Sequence, residues 1–188
     1  MEKADLRKLI REKRAGLESG QKSIWDEKLF QKLASHPLIV QADCVCCYMS
    51  IGGEAGTRRL LDWLWERGRE AAVPRVQDGD MNFFLIRSME DLSPGCMGIL
   101  EPKAHCPKAE RSDAPVITPG VAFGPAGERC GYGGGYYDRF FQREPGHCRI
   151  GIAYDFQILP ELELEPYDQK VDEIITPDHH YICNAKVL

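Results

Sequence analysis

Apolar residues in the N-terminal part of the chain recur at the three- and four-residue spacing of an amphipathic helix. One face carries the apolar residues Leu6, Leu9, Ile10 and Leu17. This pattern predicts a first helix from Lys3 to about Leu17. Ser23 has the character of an N-cap, so a second helix is predicted from there through Leu33 and ended by His36-Pro37.

A continuous apolar run then replaces the helical spacing. Val45–Met49 is short and apolar throughout, which predicts a strand buried on both faces, as in a parallel sheet. A helix from its cap at Thr57 to Gly68 and a strand at Ala71–Pro74 follow. This order of strand, helix and strand predicts a right-handed parallel crossover.

The rest of the pattern completes an α/β fold. Asp78-Gly79-Asp80 is a turn signal that predicts a hairpin between Arg75-Val76 and Met81–Ile86, whereas residues 93–115 are rich in Pro and Gly and are predicted to be irregular. Further strands are predicted at Val116–Phe123, Arg149–Tyr154, Glu173–Thr176 and Tyr181–Cys183. We therefore expect one domain over residues 1–188, a three-layer sandwich with a mostly parallel, mixed central sheet flanked by helices.

The segment RCGYGGGYYD, residues 129–138, is the strongest candidate for chemistry. Its glycines can adopt positive φ and bring backbone N–H groups close to an anion, and a helix predicted from about Tyr136 would point its N-terminus at the same anion. We predict a phosphate-binding loop, with Arg129 on the phosphates and Asp138 near an accompanying metal ion. The glycines alone would fit a flexible loop equally well, and the spacing matches neither of the two common nucleotide fingerprints.

Charge and hydropathy limit the classes of partner that the chain is expected to bind. The chain has 188 residues and a net charge of −5, which argues against a general nucleic-acid binder. Residues 1–22 contain seven Lys and Arg against four Asp and Glu, a net charge of +3, which leaves −8 for the remainder. This imbalance favours a small anionic ligand. No run of apolar residues is long enough to cross a membrane, and we expect no membrane partner and a monomer.

Three of the eight cysteines, Cys44, Cys46 and Cys47, lie within an apolar run and the others are scattered, so their spacing predicts neither a zinc site nor a disulfide framework. No secretory signal pattern opens the sequence. We expect a cytoplasmic protein with reduced, mostly buried thiols. His105 lacks partners at ligand spacing and is interpreted as a surface histidine.

Two further sets of polar residues have both a structural and a functional interpretation. The basic residues Lys3, Arg7, Arg11 and Arg14 form one helical stripe, which alone is more typical of a solvated face. Glu54 follows the first predicted strand, where ligands bind in parallel sheets, but taken alone it is more typical of a solvated loop acid.

Taken together, these segments resemble the 5-formyltetrahydrofolate cyclo-ligase family, also called methenyltetrahydrofolate synthetase. The resemblance rests on KADLR at residues 3–7, YMS at 48–50 with Glu54, GILEP at 98–102, the glycine loop through Asp138, IGIAY at 150–154 and DQKVD at 168–172. It implies an ATP-dependent ligase of folate one-carbon metabolism that converts 5-formyltetrahydrofolate to 5,10-methenyltetrahydrofolate. It also implies Mg²⁺, ADP and phosphate as products, and activation of the formyl oxygen as an iminium phosphate.

The resemblance also implies residue roles. The implied ATP-binding residues are Lys3, Ala4, Asp5, Leu6, Arg7, Arg129, Cys130, Gly131, Tyr132, Gly133, Gly134, Gly135, Tyr136 and Tyr137. The implied substrate contacts are Met49, Glu54 and residues 132–136, and the implied catalytic residues are Arg129, Tyr132 and Asp138. Asp138 and Asp168 match the metal carboxylates, with Asp172 as the alternative. Tyr132 and Gly134 stand where some relatives have a basic residue.

Two other functions remain open from the sequence. One is an ATP-dependent enzyme that acts on another small heteroaromatic acid, and the other is a non-catalytic relative that binds folate or nucleotide. The phosphate-binding interpretation of the loop fits all three.

Overall fold

The computed structural model describes residues 2–95 and 98–184. Its helices are α1 Lys3–Ala15, α2 Ser19–Ala34, α3 Pro37–Gln41, α4 Arg58–Glu66 and α5 Tyr136–Arg143. Its strands are β1 Cys44–Cys47, β2 Glu70–Gln77, β3 Asp80–Ile86, β4 Leu92–Pro94, β5 Leu100–Pro102, β6 Val116–Thr118, β7 Ala122–Phe123, β8 Arg129–Cys130, β9 Arg149–Ile152, β10 Glu173–Ile175 and β11 His180–Ile182.

The central sheet has seven strands in the order β11-β10-β9-β6-β1-β2-β3. The five strands from β10 to β2 are parallel, and antiparallel strands close both edges. The predicted α/β class with a mostly parallel, mixed sheet is therefore confirmed. All four residues of β1 are buried, as its continuous apolar run predicted.

Helices cover both faces of this sheet. On one face, α2 and α4 pack against alternate residues of the strands, with Leu29, Leu61, Val45, Ile117 and Ile150 in a common core. On the other face, Phe140 and Phe141 of α5 pack against Cys46 and Val116. Because successive strand residues point to opposite faces, neighbouring strand positions supply the two cores. The three layers follow directly.

The order of the strands creates a switch point beside β1. The crossover through α4 places β2 on one side of β1, whereas β6 pairs with its other side. Loops leaving the carboxyl ends of β1 and β6 therefore diverge and leave a crevice between them, where ligands bind in sheets of this kind.

The sequence placed some element ends incorrectly. α2 begins at Ser19 after an N-cap at Glu18, so Ser23 lies inside the helix, where its hydroxyl donates to the Ser19 carbonyl. Pro37 does end the preceding helical run, but it also opens the short helix α3, since proline suits the first helical position.

Two strand predictions also need correction. Residues 93–115 are not wholly irregular, because β5 and most of β4 lie within this region and pair in a small antiparallel hairpin that begins at Leu92. The single strand predicted at Val116–Phe123 is broken after β6 at Pro119-Gly120, and β7 pairs with β8 in a separate ribbon. The hairpin at Asp78-Gly79 is confirmed, with the positive φ values, 53° and 83°, that its turn requires.

The seven cysteines among the described residues are free thiols, and five of them are buried. The eighth, Cys96, lies outside the described residues. Within residues 2–95 and 98–184, no helix combines the length and apolar character needed to span a bilayer.

Candidate active site

A cleft of about 350 Å³ opens at the carboxyl ends of β1 and β6. It is bounded by the N-terminal end of α1, the loop after β1, the glycine loop and the start of α5. The lining residues are Lys3, Arg7, Tyr48, Met49, Ile51, Glu54, Pro74, Val76, Met81, Ile99, Glu101, Pro119, Arg129, Gly131, Tyr132, Gly133, Gly134, Gly135, Tyr136, Tyr137, Asp138, Glu165, Tyr167 and Asp168. Residues from both ends of the chain therefore meet in one site.

The glycine loop leads directly into α5. Gly135 is the N-cap of this helix with φ 65°, and Gly133 has φ 105°. Both values lie in the left-handed region, which other residues rarely adopt. The glycines thus allow a tight turn at the start of α5, whose first N–H groups have no carbonyl partner within the helix.

Arg129 and Asp138 form an ion pair beneath this loop. The Arg129 Nη2 atom donates to Asp138 Oδ1 at 2.7 Å, and the Arg129 side chain is only 3% exposed. The same oxygen accepts the Gln169 backbone N–H at 2.9 Å. Asp138 therefore joins the helix start to the loop that carries Asp168.

The end of α1 supplies two cations to the cleft. Lys3 Nζ contacts Asp168 Oδ2 at 2.7 Å and Glu165 at 3.3 Å. Burial acts to lower the Lys3 pKa, but these two carboxylates raise it above its ordinary value. Arg7 Nε donates to the Gly131 carbonyl at 2.9 Å. The charged stripe is thus part of the site at Lys3 and Arg7.

Glu54, Tyr132 and Arg14 form a hydrogen-bonded network at the other side of the cleft. The Tyr132 hydroxyl donates to Glu54 Oε1 and accepts from Arg14 Nη1, while the Ile51 backbone N–H donates to Glu54 Oε2 at 2.8 Å. Glu54 is 5% exposed, so it is not a solvated loop acid. Burial raises the Glu54 pKa, whereas the Tyr132 and Ile51 hydrogen bonds and the Arg14 charge lower it. Burial has the larger effect, so the Glu54 pKa lies above its ordinary value.

Comparisons with known proteins show which family contains this chain. The model of the 5-formyltetrahydrofolate cyclo-ligase family matches residues 1–177. The chain belongs to the 5-formyltetrahydrofolate cyclo-ligase family. It is 29% identical to the 5-formyltetrahydrofolate cyclo-ligase of Escherichia coli K12 over 90% of this chain and 97% of that protein. It is 31% identical to that of Mycoplasma genitalium over 93% of this chain and 98% of that protein.

Solved structures agree with this assignment. A 5,10-methenyltetrahydrofolate synthetase from Aquifex aeolicus superposes with a TM-score of 0.88 at 30% identity, covering 97% of this chain and 93% of that chain. A 5,10-methenyltetrahydrofolate synthetase from Mycoplasma pneumoniae gives 0.76 at 26% identity, covering 94% and 99%. The chain is therefore an enzyme of the cyclo-ligase family.

Most residues that the family resemblance implied lie together in the cleft. The exceptions are Ala4 and Asp5, which are exposed on α1, Leu6, which is buried in the core, and Cys130, which is buried in β8. Side-chain contacts to a ligand in the cleft therefore come from Lys3 and Arg7 rather than from the intervening residues.

Sequence reasoning missed the role of Arg14. Its side chain is buried, and Arg14 Nη2 donates to the Gly120 carbonyl at 2.7 Å. The signal was present in the basic stripe, but that pattern does not distinguish a solvated arginine from a buried one. The apolar wall was also missed, because Val76, Met81 and Ile99 come from separate strands and loops.

The two candidate metal carboxylates fit a magnesium ion that accompanies phosphates. Asp138 and Asp168 both line the cleft. Among the described residues, the structure gives no protein hydrogen bond to Asp138 Oδ2 or Asp168 Oδ1, so one oxygen of each is available. Mg²⁺ is commonly held by one or two carboxylates plus substrate phosphates. Asp172 lies elsewhere, since its Oδ2 accepts the Arg149 N–H at the start of β9.

Proposed function

We propose that the chain catalyses the ATP- and Mg²⁺-dependent cyclisation of 5-formyltetrahydrofolate to 5,10-methenyltetrahydrofolate, with release of ADP and phosphate. The observation that carries this proposal is the cleft, where a glycine loop suited to phosphates faces a buried carboxylate suited to a pterin ring. Family membership supports the reaction, since the matching relatives are named for the ligase.

The proposed reaction requires one half of the cleft to bind phosphates and the other half to bind folate. The formyl oxygen attacks the γ-phosphorus of ATP, ADP leaves, and the formyl group becomes an iminium phosphate. The second folate nitrogen then attacks the formyl carbon and loses its proton, and phosphate departs with the formyl oxygen. Phosphoryl transfer depends mainly on positioning and on neutralising charge, which suits a site without a nucleophilic side chain.

The phosphate half would be formed by the glycine loop, the start of α5 and α1. Backbone N–H groups at a helix N-terminus bind phosphate oxygens, and Lys3 and Arg7 add two positive charges at the cleft. Arg129 acts on the same half through the position of Asp138. The Tyr137 hydroxyl is buried and has no hydrogen-bond partner among the described residues, so a ligand would satisfy it.

The folate half would be formed by Glu54 and the apolar wall around Met49. A carboxylate accepts hydrogen bonds only, and the N–H groups of a pterin ring are donors. Substrate could take the place of the Tyr132 hydroxyl on Glu54 Oε1, while Met49 and Tyr136 contact the ring. Tyr132 then lies between the two halves, where the formyl oxygen must meet the γ-phosphate.

Asp138 and Asp168 would hold Mg²⁺ through their available oxygens. The ion would neutralise charge on the phosphates when it is bound. This assignment is compatible with the ion pairs to Arg129 and Lys3, because each of those pairs uses the other carboxylate oxygen.

The decisive assay follows the ultraviolet absorbance of methenyltetrahydrofolate after the protein is mixed with 5-formyltetrahydrofolate, Mg²⁺ and ATP. We expect a rise only when ATP is present. ATP hydrolysis that does not depend on the folate would favour another substrate, and folate binding without turnover would favour a binding protein.

The metal assignment is tested by Asp138→Asn, which keeps an oxygen acceptor for Arg129 but removes the negative charge. We expect the use of Mg·ATP to weaken roughly a hundredfold, with folate affinity little changed. Separate titrations of nucleotide and folate measure the two effects. Equal loss of both would contradict the metal role and indicate a distorted site.

A further inference from the structure

The His36 side chain meets those of Glu173 and His180, which are distant from it in sequence, at the β10–β11 edge of the sheet, and none of the three lines the cleft. His36 precedes α3, Glu173 is the first residue of β10, and His180 is the first residue of β11. The cross-strand pairs Ile175–His180 and Glu173–Ile182 place Glu173 and His180 diagonally on one sheet face. His36 faces them from the end of α2. We call these three residues the histidine cluster.

The donor atoms of the histidine cluster lie close together. His36 Nε2 is 2.9 Å from Glu173 Oε2, and His180 Nε2 is 2.6 Å from the same oxygen. One ligand atom from each of the three residues lies within 4.8 Å of the others. Both imidazoles therefore converge on one carboxylate oxygen rather than on separate acceptors.

The surroundings make this convergence unusual. Glu173 is 2% exposed and His36 is 8% exposed, whereas His180 is 40% exposed. Among the described residues, the Nδ1 atom of His36 has no hydrogen-bond partner. Glu173 Oε2 is thus the hydrogen-bond partner of the buried His36 ring. A buried carboxylate is retained only where strong partners compensate for lost hydration.

The cluster is accessible to an ion from solvent. It borders a cavity of about 380 Å³, whose other walls include Ser35, Leu38 and Ile182. The exposed side of His180 faces solvent. An ion could therefore reach the three donors without opening the core.

We propose that the histidine cluster binds a divalent transition-metal ion of the zinc class. Two imidazole nitrogens and one carboxylate oxygen are a donor set that Zn²⁺ commonly takes, with a fourth position left for water. Donors about 2.0–2.1 Å from a tetrahedral ion lie about 3.3 Å apart, so the cluster must open by several tenths of an ångström. Rotation of the half-exposed His180 ring can supply that change.

A second group, Asp91, His105 and Cys106, also has donors within 4.8 Å of one another. It is the weaker candidate. Its His105 is largely exposed and pairs with Asp91 at 3.0 Å, while burial raises the Cys106 pKa and so opposes the thiolate that a metal requires. It provides a control that contains the same residue type.

An ion in the histidine cluster would stabilise the folded protein rather than take part in catalysis. It would join the α2–α3 corner to the C-terminal hairpin, two parts of the chain separated by 137 residues between His36 and Glu173. A ligand that binds only the folded state raises the thermal midpoint as its concentration exceeds Kd. The cluster lies apart from the cleft, so catalysis should not require the ion.

The test uses the metal-stripped full chain, titrated with Co²⁺ in millimolar Mg²⁺, with Zn²⁺ as the competitor. We expect Co²⁺ absorption bands in the visible region typical of four-coordinate sites, which Zn²⁺ removes, and a higher thermal midpoint with Zn²⁺. His180→Ala should weaken binding at least tenfold and abolish the midpoint shift, since one of three ligands is lost. It should fold normally because His180 is partly exposed.

Two matched variants define the site. His105→Ala removes a histidine from the other group, and Asp168→Asn removes a carboxylate from the cleft, so both should bind Co²⁺ as the unmodified chain does. Glu173→Gln keeps the shape of the third ligand and should lose binding. Equal affinity in His180→Ala and the unmodified chain, or no binding by about 100 µM metal, would overturn the proposal.

Discussion

Two buried glutamates in this chain have pKa values that are shifted in opposite directions. Burial raises the pKa of both Glu54, in the cleft, and Glu173, in the histidine cluster. At Glu54 burial prevails, and the pKa lies above its ordinary value of 4.5. At Glu173 the hydrogen bonds from His36 and His180 prevail, and the pKa lies below 4.5.

The difference shows that one protein can contain a buried carboxylate whose negative charge is only partly compensated and another whose charge is well compensated. Glu54 is held by one phenolic hydroxyl and one backbone N–H, with the Arg14 charge at a further remove. Glu173 is held by two imidazoles on a single oxygen. A carboxylate whose charge is only partly compensated gains most from a ligand that donates hydrogen bonds. This contrast supports the proposed role of Glu54 in substrate binding, with a cost to stability as part of that role.

Glu54→Gln should have the largest effect and should separate function from stability. We expect kcat/KM for 5-formyltetrahydrofolate to fall roughly a hundredfold, because a charged acceptor is lost and the amide presents a donor. Stability at pH 7 should not fall. A carboxyl with a raised folded-state pKa loses its proton more readily when unfolded, so it costs stability above that pKa. Lower kcat/KM with a lower thermal midpoint would indicate a structural role.

Glu173→Gln should show the opposite behaviour. We expect about 1–3 kcal/mol of stability to be lost at pH 7, since charge-assisted hydrogen bonds become neutral, with kcat unchanged. Glu173 has a depressed folded-state pKa, so its contribution is present above 4.5 and is lost as the pH falls through the folded value. Urea unfolding of the metal-free protein at pH 7 and at a series of pH values below 4.5 should therefore show a difference that decreases as the pH falls. A constant difference would contradict the assignment.

Tyr132→Phe should give a smaller effect that is visible in the pH profile. The Tyr132 hydroxyl lowers the Glu54 pKa by hydrogen bonding, and phenylalanine lacks that donor. The acid limb of the kcat/KM profile for folate should therefore move to higher pH, while activity at pH 8 changes less than tenfold. Tyr154→Phe serves as a comparison, because Tyr154 donates to Asp26 and to the Glu54 backbone carbonyl instead. An unshifted limb would show that another group controls it.

The sequence predicted the layers and the position of the cleft because both depend on local patterns. The apolar run at Val45–Met49 and the crossover through Thr57 to Pro74 are signals within short windows. The breaks at Pro119-Gly120 and the hairpin of β4 and β5 were missed, since pairing between distant segments decides them.

The same distinction between local patterns and contacts of distant segments applies to the candidate site. The glycine loop was found from its own composition, whereas Lys3, Arg7 and Glu54 were assigned to the site only through the family resemblance, because alone they are more typical of solvated residues. Arg14 was found only as part of a charged stripe. The histidine cluster could not be found, because its residues have no ligand spacing in the chain and only the sheet register brings them together.

The contact between Lys3 and Asp168 spans 165 residues, and it has a consequence for synthesis. At about 5–20 residues per second, a ribosome needs roughly 10 to 30 s to make the chain between them. During that interval the emerging N-terminal helix carries its cationic residues without their carboxylate partner. The cleft is thus among the last parts of the protein to be completed, and under the proposed function a nascent chain released early would be inactive even with its first strands in place.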